Sequence, residues 1–272
     1  MKANYDGKKE ASYSNTARAF SEASAAYDIK ISRNFVNVAI REVELRALIH
    51  YSTDKNSILE IGCGTGQEAL RFIRATGKRV AAIDISPGMI DFANAKMESH
   101  GLKGSFNARV MPARDVALIQ EKFDLIYSFN GALNNEPEIS NFLTSLAGIA
   151  KRDAMFIFSL RNDFCLGETL LLLFSGKRDV LRERRGKEVF VEVGASKIQS
   201  RYYSVREITD IVPREFRLIR LVGLAVVLPP YLAEKVRSRY LRILISSLDR
   251  ILGTLPIFRR MGDETFYVFQ KT

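Results

Sequence analysis

The 272-residue chain has only two cysteines, Cys63 and Cys165, and two histidines, His50 and His100. Two cysteines with no ligand spacing around them exclude a disulfide framework and a zinc-type cluster, and two isolated histidines exclude a histidine dyad, so no metal is expected. No apolar run reaches eighteen residues, which excludes an ordinary membrane-spanning helix. The stretch Met1-Lys2-Ala3-Asn4-Tyr5-Asp6 lacks the apolar core of a secretory leader, and a cytoplasmic location is expected. Repeats and low-complexity tracts are missing too. An apolar share of 47% and a charged share of 26% are those of an ordinary globular chain.

What is present in excess is positive charge, and it is unevenly placed. Of the net +10, residues 161–260 contribute twenty Lys/Arg against eleven Asp/Glu, while the N-terminal half is close to neutral. Such asymmetry fits nucleic acid, an anionic membrane surface or an acidic substrate, and it equally fits solvated helix faces.

The chemistry is concentrated in Ser57-Ile58-Leu59-Glu60-Ile61-Gly62-Cys63-Gly64-Thr65-Gly66-Gln67-Glu68-Ala69-Leu70. An aliphatic strand turns through three glycines into a helix with Ala69, Leu70 and Ile73 on one face. Glycine suits a loop whose backbone must approach a ligand, and the following helix aims free N–H groups at that ligand. Dinucleotide loops read G-x-G-x-x-G, whereas this one reads G-x-G-x-G. Glu60 would repel a pyrophosphate and attract an ammonium group. The stretch therefore resembles motif I of the class I S-adenosylmethionine-dependent methyltransferases, whose donor carries a methionine tail and no phosphate.

Further matches extend the resemblance. Arg79 to Met89 reads as a buried strand ending in Asp84, eighteen residues beyond Gly66, with Pro87 near the next helix start. A carboxylate there can accept from both hydroxyls of a ribose. The D-x-S-x-x-M pattern of Asp84, Ser86 and Met89 resembles motif II, which implies that Asp84 and Ile85 face the nucleoside and that Met89 covers the adenine. Otherwise Asp84 is an N-cap and Met89 a core residue. Phe20 to Asp28 is similar to the family's lid helix, placing Tyr27 either over the donor or as an anchor of that helix to the core. The acidic residue that usually meets the adenine amino group falls on Pro112. Ala113, through its backbone, and Asp115, as a substitute carboxylate or as a helix cap, are the candidates left.

Phe123 to Phe129 reads as the fourth strand, and Asn130 and Asn134 at its end either orient substrate and donor methyl or serve as turn residues. The N/D-P-P-Y/F motif of nucleic-acid amino methyltransferases is not there. Arg161, Asn162, Tyr202 and Tyr203 border an insertion and are candidates for touching substrate. Tyr202, Tyr203 or Asp163 would act as base if the acceptor needs one.

The resemblance implies an α/β fold, a doubly wound, seven-stranded, mostly parallel sheet with an N-terminal helical lid and two cap insertions. Residues 1–52 are assigned to a mobile arm (1–15) and lid helices, 53–160 to the donor-binding core and 161–204 to a cap with an apolar helix, a basic turn at 177–187 and a hairpin. Residues 205–228 return to the core, 229–262 form a second, helical insertion, and 263–272 the closing strand. In that second insertion Leu232, Val236, Tyr240, Leu241, Leu244, Leu248, Ile251 and Leu252 recur at helical spacing among Arg237, Arg239, Arg242 and Arg250. This stripe is expected against its own domain; a membrane interface is the other place for residues 231–252. The resemblance implies S-adenosylmethionine as cofactor and methyl transfer to an O, N or C nucleophile of a small, lipophilic or acidic metabolite. The basic C-terminal part keeps an RNA or protein substrate open as the alternative, and a binding or scaffold protein without catalysis is the third reading.

Overall fold

The computed structural model describes residues 2–174, 184–185 and 188–272. Two helices come first, α1 (Lys2–Ser32) and α2 (Phe35–Tyr51). They are separated by Asn34, whose Oδ1 accepts from Val36 N and Asn37 N at 3.1 and 3.2 Å and so caps α2. Strands and helices then alternate: β1 (Ile58–Ile61), α3 (Gln67–Thr76), β2 (Val80–Asp84), α4 (Pro87–Ser99), β3 (Phe106–Val110), β4 (Phe123–Ser128), α5 (Ile139–Ile149) and β5 (Ala150–Arg161). There follow α6 (Leu166–Phe174), the hairpin β6 (Glu188–Val193) and β7 (Ser196–Arg201), α7 (Val205–Ile211), β8 (Phe216–Leu224), α8 (Arg239–Leu252) and β9 (Glu264–Lys271).

The main sheet has the order β3-β2-β1-β4-β5-β9-β8, with β9 antiparallel to both its neighbours and the other pairs parallel. This is the seven-stranded doubly wound α/β sheet implied by the sequence. Its strands alternate between two cores, as a period of two requires. Leu125, Tyr127, Ile157 and Val268 face α2 and α3, whereas Ile126, Phe156, Tyr267 and Phe269 face α5 and α7. On the second face the aromatic rings stack, Phe156 on Phe158 at 4.4 Å and Phe158 on Tyr267 at 4.9 Å. The expected turn at 151–153 is a bulge inside β5, with Asp153 at φ 60° and a register shift opposite β4.

Two expectations are corrected. In place of the expected arm, α1 continues back to Lys2, and side chains of its first half hold it to the rest of the chain. Tyr13 is buried with its hydroxyl donating to Glu136, and Arg114 lies over the Tyr13 ring and pairs with Glu10. The stripe expected against its own domain is so only at its ends: Leu232 and Val236 pack partly against the core and Leu252 is half-buried, whereas Tyr240, Leu241, Leu244, Leu248 and Ile251 are exposed, and the one buried residue of α8 is Ile245, outside that stripe. The basic turn at 177–187 lies outside the described residues apart from Arg184 and Arg185.

Arg184 joins the insertions to the sheet. Its Nη1 donates to Glu168 Oε2 at 2.8 Å and to Asp263 Oδ1 at 2.9 Å, and its Nε to Asn162 O at 2.9 Å, all of them buried. Tyr231 OH, from the second insertion, reaches the other oxygen of Glu168 at 2.7 Å. Removing this guanidinium strands two buried carboxylates. Arg184→Ala is expected to cost about 3–5 kcal/mol, read as a lowered urea midpoint; a loss below about 1 kcal/mol would contradict the role.

Candidate active site

The site grows from the tie between the ends of β1 and β2. Past Ile61 the chain turns back, and Gly62 N and Cys63 N both donate to Ile83 O, at 2.8 and 3.1 Å. Gly64 N then donates to Asp84 Oδ2 at 2.8 Å, while Asp84 Oδ1 accepts from Ser86 N at 2.9 Å. The cap of α4 is Ser86, whose Oγ accepts from Met89 N, so Asp84 is left to hold the loop. At Gly62 an added Cβ would lie 2.6 Å from that of Ala132, so the close approach of the loop after β4 requires glycine there. At Gly64 an added Cβ would meet no protein atom, and the backbone has φ +51°. That opening faces the cavity.

The cavity encloses about 930 Å³, part of it open to solvent, at the carboxyl ends of β1, β2 and β4, where the strand order reverses. Of the residues expected from sequence, the structure brings Tyr27, Glu60, Gly62, Gly64, Asp84, Ile85, Met89, Ala113 and Asn130 to its wall. Gly66 lies behind it as the residue before α3, with Ala93 of α4 at 3.0 Å from an added Cβ.

Arg161 and Asn162, Asp115, Asn134, Tyr202 and Tyr203 do not line it either. Asp115 is absent from the wall and sits 3.7 Å from the Arg114 guanidinium. Asn134 is buried as a tie between chain segments: its Oδ1 accepts from Arg161 N at 2.9 Å and its Nδ2 donates to Arg201 O at 2.6 Å. Tyr203 is a core residue beside Val205 and Ile208, with only its backbone paired to Asn162. Tyr202 lies between Arg161 Nη1, 3.5 Å from its hydroxyl, and the Arg184 guanidinium over its ring.

Sequence reasoning missed Arg41 on α2 and the pair Tyr13–Glu136. Arg41 Nε lies 3.2 Å from Glu68 Oε1 and donates to Asn130 Oδ1 at 3.1 Å, which holds Asn130 at φ 57°. Nothing local marks Arg41 in the sequence; only the fold of α2 over the loop brings it in. Tyr13 and Glu136 close the opposite end of the cavity with Phe20 and Leu133. The lid is clamped, since Asp28 accepts from Thr65 Oγ1 and Lys96 Nζ, and Ser21 Oγ lies 2.8 Å from Ser86 Oγ.

Electrostatically the cavity is acidic around one arginine. Burial, with Glu68 nearby, holds the Glu60 carboxyl well above the usual carboxylate range, and burial raises Asp84 against the pull of its two N–H donors. Tyr127 is close to Glu60, yet neither its hydroxyl nor Glu60 Oε2 makes a well-aligned hydrogen bond. A buried carboxylate oxygen left over at a cavity wall is a receptor for a cation.

A sheet of this order, with an acidic strand end, a glycine loop and a buried carboxylate at the end of β2, has the arrangement of the class I methyltransferase fold, and comparison with known proteins agrees. Residues 58–153 match the family described as a methyltransferase domain. A protein of Methanocaldococcus jannaschii without a described function is 24% identical over 75% of this chain and 77% of its own. The malonyl-[acyl-carrier protein] O-methyltransferase of Serratia marcescens is 38% identical over 85 residues, which span 31% of either chain. Magnesium protoporphyrin IX methyltransferase from Synechocystis, solved with S-adenosylhomocysteine, covers 88% of this chain and 86% of its own at TM-score 0.55 and 15% identity, a likeness of fold. Residues 58–153 thus form a methyltransferase domain within a chain that has the seven-stranded class I fold, and S-adenosylmethionine is the cofactor of that domain.

The acidic wall fits a donor bearing sulfonium and ammonium charges. Such a cation favours ionised Glu60 and Asp84, so protons leave as it binds, and affinity rises with pH until Glu60 is ionised in the free protein. Calorimetry in buffers of different ionisation enthalpy should show net proton release and tighter binding at about pH 8 than at about pH 6; net uptake would contradict the charge assignment. Gly64→Val should abolish measurable donor binding while the protein stays folded, because the side chain enters the donor's space and strains a positive φ. Wild-type affinity in that variant would show that the loop does not approach the donor.

Proposed function

We propose that this chain transfers the sulfonium methyl group to an oxygen of a small, lipophilic or acidic metabolite bound beneath α1. In this reading Glu60 receives the donor's ammonium group and Arg41 its carboxylate, Asp84 takes the ribose hydroxyls, and Ile85, Met89 and Ala113 flank the adenine. Asn130, pinned by Arg41, borders the path from donor to acceptor. The observation that carries the proposal is the single cavity running from the glycine loop to Tyr13, Phe20, Leu133 and Glu136, closed from above by a clamped helix. Its far end is aromatic and apolar with one carboxyl group, which suits a small molecule better than a polymer. The name of the Serratia relative specifies oxygen as the methylated atom, which supports the same choice.

In-line displacement at a methyl group needs little covalent assistance. Holding the acceptor oxygen in line with the sulfonium, in a site that α1 closes to water, supplies most of the acceleration. An acceptor carboxylate is already ionised. An acceptor hydroxyl must lose a proton, and Glu136 is the group placed for it: burial raises its carboxyl above the usual range, while the Tyr13 hydroxyl and the Glu138 N–H, at 2.9 Å, fix its orientation. This assignment replaces Tyr202, Tyr203 and Asp163 as base.

Incubating the protein and donor with fractionated small metabolites should yield a product about 14 mass units heavier, or about 15 with a 13C-labelled donor methyl, with the new methyl group on oxygen. Label found only in RNA or protein would reject the reading. With the product known, Glu136→Gln should lower kcat by roughly a hundredfold or more for a hydroxyl acceptor and leave donor affinity near wild type. Unchanged kcat would remove Glu136 from the reaction.

A further inference from the structure

Among the described residues, the two insertions present exposed apolar helix faces. On α8, Tyr240, Leu241, Leu244, Leu248 and Ile251 share one face and all are exposed, Tyr240 by 85% and Ile251 by 60%. On α6, Leu171 and Leu173 are exposed, and Phe174 is so by 90%. The two helices hang from the two sides of one peptide group: Gly167 N donates to Val226 O at 2.9 Å, and Val227 N donates to Asp249 Oδ1 at 2.7 Å.

Charge decides what covers this face. Residues 231–260 carry seven Lys/Arg against two acidic residues, and one of the two, Asp249, is engaged by Val227. A second copy across a two-fold axis would set this excess against itself. Nucleic acid would satisfy the arginines and leave the leucines and isoleucines in water. An anionic bilayer answers both, because acyl chains accept the apolar face, headgroups accept the arginines, and the exposed rings of Tyr231 and Tyr240 suit the headgroup level. Among the described residues no helix is long and apolar enough to cross a membrane, so the contact is with its surface.

We infer that α8, with α6 beside it, docks the protein on an anionic lipid surface. The insertions leave the sheet at the carboxyl ends of β5 and β8, the edge on which the donor cavity also opens, so docking brings that edge near the bilayer. The inference goes beyond the proposed reaction and is read without it.

Co-sedimentation of the full chain with phosphatidylcholine vesicles containing about one-third phosphatidylglycerol should retain it at about 0.1 M salt, and pure phosphatidylcholine vesicles should retain about tenfold less. Leu244→Glu with Leu248→Glu, and separately Arg239→Glu with Arg250→Glu, should each lower anionic retention about tenfold or more, with donor binding in solution unchanged. Those four side chains are exposed, and the arginine pair alone decides the matter if the leucine pair fails to fold. The inference is overturned by no retention on anionic vesicles, by retention that the arginine reversal leaves intact, by a stable dimer that the leucine changes dissociate, or by capture of RNA in place of vesicles.

Discussion

The structure depends on one carboxylate. Asp84 accepts from Gly64 N with one oxygen and from Ser86 N with the other, so a single side chain fixes both the loop after β1 and the approach to α4. Charge-assisted bonds to backbone N–H groups are short and strong, and they survive here because the carboxylate is buried. Ile83 O adds two further bonds from the same loop, so the loop cannot shift without breaking the end of β2. A rigid loop is what a ligand-binding turn needs, because the positions of its N–H groups are then set before the ligand arrives.

The second constraint comes from the N-terminal helices. Ser21 meets Ser86, Asp28 meets Thr65 and Lys96, and Tyr13 meets Glu136, so α1 is held at the glycine loop, at α4 and at the turn before α5. Gly88 permits the approach, since an added Cβ there would come 2.9 Å from the Ser21 backbone. A helix fastened at three points excludes water from a reaction that works by positioning. It also has to loosen for an acceptor to enter. The outermost ties are side-chain bonds that can open one at a time, unlike the strand ladder beneath them.

Much of this was legible in the sequence because it is local. The glycine loop, Asp84 eighteen residues on, and the Ser86-Pro87 helix start follow from residues whose roles are set by their neighbours in the chain. The sheet followed from those and from the F-D pair at Phe123. What escaped depends on contacts between distant segments. Asn134 looked like a ligand-facing turn residue and proves to bind Arg161 and Arg201 across the hairpin. Tyr203 carries the same aromatic side chain whether it borders a cavity or fills a core, and only the position of α7 decides. Arg41 lies in the middle of a helix with no motif around it. Tyr13, in a polar stretch, was hidden because its partners, Glu136 and Arg114, are a hundred residues or more away.

The α8 stripe shows the same limit from the other side. Helical periodicity identifies an apolar face and says nothing of what faces it; burial of the stripe was the ordinary expectation. The structure turns Ile245 and Asp249 inward, where Asp249 accepts from Val227 N, and leaves the centre of the stripe out. A partly buried polar bond thus anchors the helix in an orientation that leaves apolar area exposed. Nearly all the chain's excess charge lies in the C-terminal part that holds both insertions, so uncovered leucines and surplus arginines occupy the same region. A fold stabilised only from within would have had no reason to combine the two. Their combination lies at the ligand edge of the sheet, the edge on which the donor cavity opens, and it is this coincidence of place that the inferred lipid docking rests on.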